Sequence, residues 1–415
     1  MKYLAYLILL GFFGIISCDS TQDIDKVTNI EKYQLTFNSF NWDTKPYKFK
    51  SYIKDSILIE KGSQVAAVEF SYIQDIENTL LTWDADSEIV EDTLSNEQIK
   101  KFGTYNPVSA IPLILKKAEE HEVIIVNEAH HMSQHRVFAT KLLKGLYNRG
   151  YRHLGIETFW ASNYSDSILS VNGYPTLKNG FYSKEPQYGN FIREAVSIGF
   201  QIFGYESSGH TNGKEREINQ AINIKNYIEN HGGEKTFIYC GFAHGFEGNI
   251  GGTWKKAMAG RLTEFTGINP LTINQTNYSE KSKSPYEDLF FRITEVKEST
   301  IFVDKNNDSF GKYRNKGWFD ISVFHPRTTG FIRPEWMLFD DRKEVNLDLS
   351  NAQIHYPCLV FAYLENEGIG SAVPYDIQQI DSSIVKLILK PGHYNIVVLQ
   401  QNEKAWKFEY LVKLK

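Results

Sequence analysis

The chain has 415 residues, 42% of them hydrophobic and 23% charged, enough at roughly 150 residues per domain for two or three packed units. A mean hydropathy of -0.37 excludes both a polytopic membrane protein and a disordered chain. Lys and Arg total 45 against 50 Asp and Glu, a net charge of -5, so no basic face dominates and nucleic acid is not an expected partner.

The first twenty residues predict export. Met1-Lys2-Tyr3 precede an apolar run from Leu4 to Ile16, then Ser17-Cys18-Asp19-Ser20. One Lys, about a dozen apolar residues and a small residue before the break predict a secretory signal over 1–18, too short to span a bilayer. Ile15-Ile16-Ser17-Cys18 resembles the lipobox of bacterial lipoproteins, which implies that Cys18 is acylated with palmitate-type chains and becomes the new N-terminus; an ordinary cleaved signal with an incidental Cys is the alternative. The lipoprotein reading places the chain in the cell envelope, facing the periplasm or the surface. Residues 19–46 are polar and without a sustained period, so they read as a tether leading away from a membrane. Cys240 and Cys358 remain, on opposite sides of a domain boundary, so neither a structural disulfide nor a CxxC metal site is expected.

From about Tyr47 to Lys101 the pattern is mostly helical, as in Val65, Val68, Glu69, Tyr72 and Ile73 after the Gly62 break. Short apolar runs then follow at 123–126, 154–156, 201–205 and 236–240, alternating with helical segments near 133–149, 190–199, 214–230 and 254–266. Buried strands alternating with helices predict an α/β fold, a mainly parallel sheet covered on both faces, over 47–326. Leu271-Thr272-Ile273 and the run 319–323 would extend that sheet. After Pro326 the helices stop. Val345, Leu347 and Leu349 alternate, as do Trp406, Phe408 and Tyr410, while 387–389 and 394–398 flank a Lys390–His393 turn, so 327–415 reads as a small antiparallel β-sandwich.

In an open parallel sheet, ligands bind beyond the carboxyl ends of the strands. Those positions hold Asn127-Glu128-Ala129-His130-His131 after the first run, then Glu157, Glu206 and His244, with His325 after a later run. A single Glu there can be no more than a charge meeting a helix dipole, worth about 0.3–1 kcal/mol. Four successive strands ending in Glu, Glu, Glu and His instead predict a polar cleft. A neutral His can take a proton from water, and a neighbouring carboxylate can fix its tautomer. Glu128 or Glu157 with His131 would form that pair. Arg136 and Arg216 could hold an anion or a developing oxyanion, and Glu206 and His325 could bind substrate. The same residues permit a metal: His131 and His135 lie four apart, His130 is adjacent, and His244 or Glu157 could add a ligand to manganese or zinc. There is no GxSxG, HExxH or GxxxxGK[ST], and the glycine-rich 241–252 lacks the Lys-Ser/Thr of a phosphate cradle. It reads as a turn carrying His244 to the cleft.

With these residues in view, the chain resembles the superfamily joining erythromycin esterase-type hydrolases, ChaN haem-binding lipoproteins and Tiki proteases. Val123–His131 is similar to a strand ending in the esterase motif Gly-Glu-Ala-Thr-His, which places Glu128 on the motif Glu and His131 on the general base. Leu154-Gly155-Ile156-Glu157 resembles the second strand with its acidic end. Arg216-Glu217, Gln220-Ala221 and Asn223 resemble the esterases' Arg-Asp-x-x-Met-Ala-x-Asn helix, and His244 falls where those proteins place a late histidine. Asn127 replaces the motif Gly, and His135 stands where the esterases carry a second Glu. A second register, Glu128-Ala129-His130 with His135, resembles ChaN and selects the other histidine. The resemblance covers about 105–280.

The expected function is a membrane-anchored exported hydrolase with His131 as base, oriented by Glu128 and Glu157, with His244 completing the catalytic set. It would cleave an ester or related bond in a small molecule and need no cofactor. The alternatives are a lipoprotein holding a metal or haem through His130, His131, His135 or His244 without catalysis, and an envelope adaptor whose cleft is vestigial.

Overall fold

The computed structural model describes residues 24–39, 45–161, 164–207, 213–311 and 313–414. Cys18 and the whole signal lie outside them. Eight strands form one sheet in the spatial order Asn106–Ser109, Thr300–Val303, Ile321–Phe324, Leu271–Tyr278, Val123–Glu128, Thr236–Gly241, His153–Trp160, Gln201–Glu206. The last six run parallel to one another, and the first two join through antiparallel pairings. The α/β reading therefore stands, with an antiparallel edge that the sequence did not announce.

Period-2 alternation sorts the central strands onto two cores. Ile124 and Val126 with Leu154, Ile156, Phe237 and Tyr239 face the helices Ser133–Tyr147 and Pro186–Ile198. Val123 and Ile125 with Phe203, Ile238 and Cys240 face Lys214–Asn230 and Met258–Thr266. A strand buried on both faces must be apolar throughout, which is why Val123–Val126 reads as one unbroken run.

The C-terminal unit is two stacked sheets. Asp376–Ile380, Cys358–Leu364, Gly392–Gln400, Ala405–Val412 and Glu31–Tyr33 form an antiparallel five-stranded sheet. Ile24–Lys26, Lys343–Asp348 and Ile384–Leu389 form the other. Val345, Leu347, Val385 and Leu387 meet Val360, Ala362, Ile396 and Val398 between them. On its far face, Leu359, Phe361, Tyr363 and Val397 pack against Tyr47, Ile53, Phe70 and Tyr72.

Two boundaries differ from the sequence expectation. The stretch read as a tether supplies a strand to each sheet of the sandwich, with Val27 buried between them. Three-residue strands are too short to show alternation, and their partners lie more than three hundred residues away. The first part of the helical segment assigned to the α/β unit, residues 47–72, packs on the sandwich, while its helix Ile76–Trp83 packs on the α/β unit at Ala129, Met132 and His131. The helix Ser63–Tyr72 is buried on nearly every side, so it carries no amphipathic stripe to say which unit claims it. Asn190 Nδ2 donates to the Tyr375 carbonyl at 2.8 Å and Arg193 Nε to Glu367 at 2.7 Å, tying the two units together. Among the described residues, no helix is long and apolar enough to cross a membrane.

Candidate functional site

Four neighbouring strands place the site. Glu128 stands level with Gly241, and Ile156 with Tyr239, so Glu128, Gly241 and Glu157 form a row across the carboxyl edge of the sheet. Glu206 ends the next strand.

Glu128 is the hub of one half. It accepts from Arg136 Nε at 2.8 Å and Nη2 at 3.0 Å, and from the Tyr239 hydroxyl at 2.9 Å; its Oε1 lies 2.9 Å from His130 Nδ1. Burial alone would raise the Glu128 pKa, but Arg136 and His130 outweigh it and hold the carboxyl below its usual range. An ionised carboxylate only accepts, so Nδ1 of His130 carries the proton and donates it, leaving Nε2 as the basic edge. The imidazole stacks on Tyr182 with centroids 3.8 Å apart, and its side chain is 15% exposed. Its Nε2 edge lies over Gly241: a Cβ there would come within 2.5 Å of His130 Nε2 and 3.1 Å of Glu157 Oε2. Only glycine fits, because the imidazole packs directly on the Gly241 backbone beside Glu157.

The other half is built on the helix Lys214–Asn230. Arg216 reaches Glu157 at 2.6 Å and also binds Glu206, and Gln220 Nε2 donates to Glu206 at 3.1 Å. Glu217 lies 2.8 Å from His244 Nδ1 and accepts from the Met258 amide at 2.7 Å. His244 Nε2 lies 3.4 Å from Glu157 and 2.9 Å from Arg216 Nη1. Burial would lower the His244 pKa, yet Glu157 and Glu217 outweigh both burial and Arg216 and raise it. Burial likewise works against ionisation of Glu157, but His244 and Arg216, with the Gly241 amide, bring its pKa down to about 2. The Arg216 side chain is 30% exposed, the most open cation of the cluster.

Asn127, where the sequence departs from the esterase motif, holds the turn that carries His244. Its Nδ2 donates to the Phe242 carbonyl at 2.6 Å, and its Oδ1 accepts from the Gln275 amide at 2.8 Å. Phe242 sits at φ 39°, a left-handed conformation that costs a non-glycine residue about 1–2 kcal/mol, so the turn needs such an anchor.

The structure thus brings together Glu128, His130, Glu157, Glu206, Arg216 and His244. It does not bring in His131, His135 or His325. His131 is buried, stacked on Trp83 at 3.8 Å, and neither ring nitrogen has a hydrogen-bond partner; it pairs with neither Glu128 nor Glu157. Burial, with Lys281 and neighbouring imidazoles, lowers its pKa. His135 accepts from the Ala129 amide at 3.0 Å behind the turn. His325 lies 2.9 Å from both Ser299 Oγ and Gln275 Oε1 and lines a separate cavity of about 800 Å³. Arg136, expected at the substrate, is wholly buried between Glu128 and Glu185, the latter at 2.9 Å. Its work is to hold Glu128 ionised. Among the described residues, no group of three or more His, Cys, Asp or Glu is arranged to hold a metal ion.

Sequence reasoning missed Tyr182, Glu185, Tyr239 and Gly241, which lie inside helices, turns or strands. Glu217 stood in the noted Arg-Glu pair, and that adjacency was the available signal.

No protein-family model matches the chain, and no curated protein matches it. Among solved structures it is similar to the type III effector HopBA1, with 11% identity and a TM-score of 0.32 over 54% of this chain and 97% of that one. RRSP, a MARTX toxin effector domain from Vibrio vulnificus, gives 14% identity and a TM-score of 0.28 over 51% of this chain, which spans 44% of RRSP. ChaN of Campylobacter jejuni, described with cofacial haem binding, gives 9% identity and a TM-score of 0.28 over 44% and 94% of the two chains. At these scores none of the likenesses carries a family, a residue role or an activity.

Proposed function

We propose that the chain is a hydrolase in which His130, not its neighbour His131, activates water against an ester or related bond. The observation that carries this reading is the His130 geometry: Nδ1 committed to an ionised Glu128, the Nε2 edge close to Gly241 and Glu157, and the side chain 15% exposed. His130 Nε2 takes a proton from water as its oxygen attacks the carbonyl carbon. The carbonyl oxygen gains charge, which Arg216, held by Glu157 and Glu206 and bonded to His244 Nε2, is placed to stabilise. Collapse expels the alkoxide, which recovers the proton from His130, giving acid and alcohol from ester and water. No metal or haem enters these steps.

A binding-only lipoprotein finds one point of support, the unpartnered ring nitrogens of His131 and Nε2 of His135. Those rings lie behind the turn, away from the open cleft, so the hydrolase is favoured. Anchoring through Cys18 belongs to this proposal and rests on the sequence alone; Cys18→Ser in the producing cell should move the protein from the membrane to the soluble fraction.

The test is hydrolysis of an ester panel by the purified soluble protein and its His130→Ala and His131→Ala variants. Loss in the first and retention in the second supports the proposal; equal rates for native protein and His130→Ala overturn it.

A further inference from the structure

The charged floor of the cleft has an aromatic wall that the catalytic reading leaves unused. Phe242 follows Gly241 directly and sets its ring edge-on to His130, with centroids 5.1 Å apart and planes at 90°. Trp83, at the end of the helix Ile76–Trp83, lies nearly parallel to Phe242 at 5.7 Å and 10°. Behind Trp83 the buried imidazole of His131 stacks at 3.8 Å and 16°. Trp83 and Phe242 are each part-buried, so each residue keeps some open surface, and Phe242 keeps it next to the proposed base. The backing explains an oddity. A buried histidine without hydrogen bonds is a poor catalyst but a flat, rigid support, and it presses the indole into one plane.

Charge narrows what could lie on this surface. Among the described residues, Glu128, Glu157, Glu185, Glu206 and Glu217 pair with two permanent cations, Arg136 and Arg216, and even with Lys281, which acts on His131 behind Trp83, the carboxylates are in excess. An anionic substrate would enter against that excess.

We propose that Trp83 and Phe242 form a stacking platform that selects esters carrying a flat ring and no negative charge, the ring lying on the aromatic pair while the carbonyl reaches His130. This substrate class rests on the hydrolase reading. Offset stacking of one ring on such a surface corresponds to about a tenfold preference.

The experiment compares kcat/KM for methyl 3-phenylpropanoate, its 4-carboxylate derivative and methyl hexanoate, which share an alcohol and an unhindered acyl carbon. The native protein should favour the phenyl ester over both others. Trp83→Leu should lower the phenyl-to-hexanoate ratio about tenfold, chiefly through KM, and Trp83→Phe should restore most of it. The same variants are titrated calorimetrically with 3-phenylpropanamide, with circular dichroism confirming their fold. Hydrolysis with no phenyl preference, or a preference unmoved in Trp83→Leu, overturns the platform and leaves the hydrolase. Trp83-dependent amide binding without turnover of any ester keeps the platform and overturns the hydrolase. Neither turnover nor amide binding overturns both. If Trp83→Leu does not fold, Phe242→Leu replaces it in each arm with the same expectations.

Discussion

His130 and His131 are adjacent in the chain and opposite in environment. On the cleft side, His130 and His244 each give a ring nitrogen to a carboxylate, Glu128 and Glu217. On the inner side, His131, His135 and His325 are buried without one, packed among Trp83, Phe138 and each other. An imidazole flanked by an ionised carboxylate has a fixed tautomer and an assigned base; one held in an apolar setting is kept neutral and inert. Carboxylate partners, more than the histidines themselves, separate chemistry from packing in this molecule.

The largest expected effect tests that division directly. General-base catalysis contributes about 10²–10⁴-fold, so His130→Ala should lower kcat by that range on any ester the protein turns over. His131→Ala should keep kcat within a few-fold while lowering Tm, because it opens a cavity under Trp83. Steady-state kinetics beside thermal melts separate the two, and the reverse pattern would exchange the roles of the two sides.

The next effect concerns the support of the cleft side. Arg136 is enclosed by Glu128 and Glu185, and Arg136→Met would leave two buried carboxylates without their cation. Removing one partner of such a pair costs about 3–5 kcal/mol. Urea unfolding at pH 7 should show that loss, reduced at pH 5, where Glu128, freed of Arg136, takes up a proton more readily.

Much of this was legible in the chain, for physical reasons. Strands buried on both faces are unbroken apolar runs, so the parallel sheet and the residues at its carboxyl edge, Glu128, Glu157, Glu206 and His244, could be read from order alone. The antiparallel strands Asn106–Ser109, at the edge, and Thr300–Val303, next to it, are four residues long, too short to stand out. The choice between His130 and His131 was not legible, since both follow the same strand and only tertiary partners distinguish them. Arg136 was assigned to substrate because a helical Arg near a cleft looks available; Glu185, some fifty residues on, removes it from solvent.

The histidines of the two sides should also respond to acid with opposite signs. His131 and His325 have lowered pKa values in the folded chain, about 3 for His325, where burial dominates with Lys141 adding to it. Between about pH 6.5 and 3 the unfolded chain therefore binds more protons, and stability falls as pH falls. His244 is raised, so its contribution is full below about pH 6.5 and is lost as pH rises through its folded value. Glu157, at about 2, contributes above its ordinary 4.5 and is lost only as pH falls from there towards 2. His131→Phe preserves the ring against Trp83 and removes two nitrogens that have no partner, so it should leave Tm at pH 7 equal or higher and flatten the decline between pH 6.5 and 4.5. A decline of unchanged slope would assign the acid loss to His135 and His325 alone.

The smallest effect lies where the two sides meet. Asn127 joins them, since Gln275, which bonds its Oδ1 through the backbone amide, also bonds His325 through its side chain, while Asn127 Nδ2 holds the Phe242 carbonyl. Asn127→Ala orphans a donor and an acceptor and should cost about 1–3 kcal/mol. Asn127→Asp keeps the acceptor for Gln275 but offers nothing to Phe242, so it isolates the contact that holds the strained turn. If that contact positions His244 and Gly241, both variants should lower kcat several-fold while the alanine variant alone loses the full stability increment. A kcat equal to the native value in Asn127→Asp would mean the turn keeps its left-handed residue by packing, with Trp83 and His130 as its only restraints.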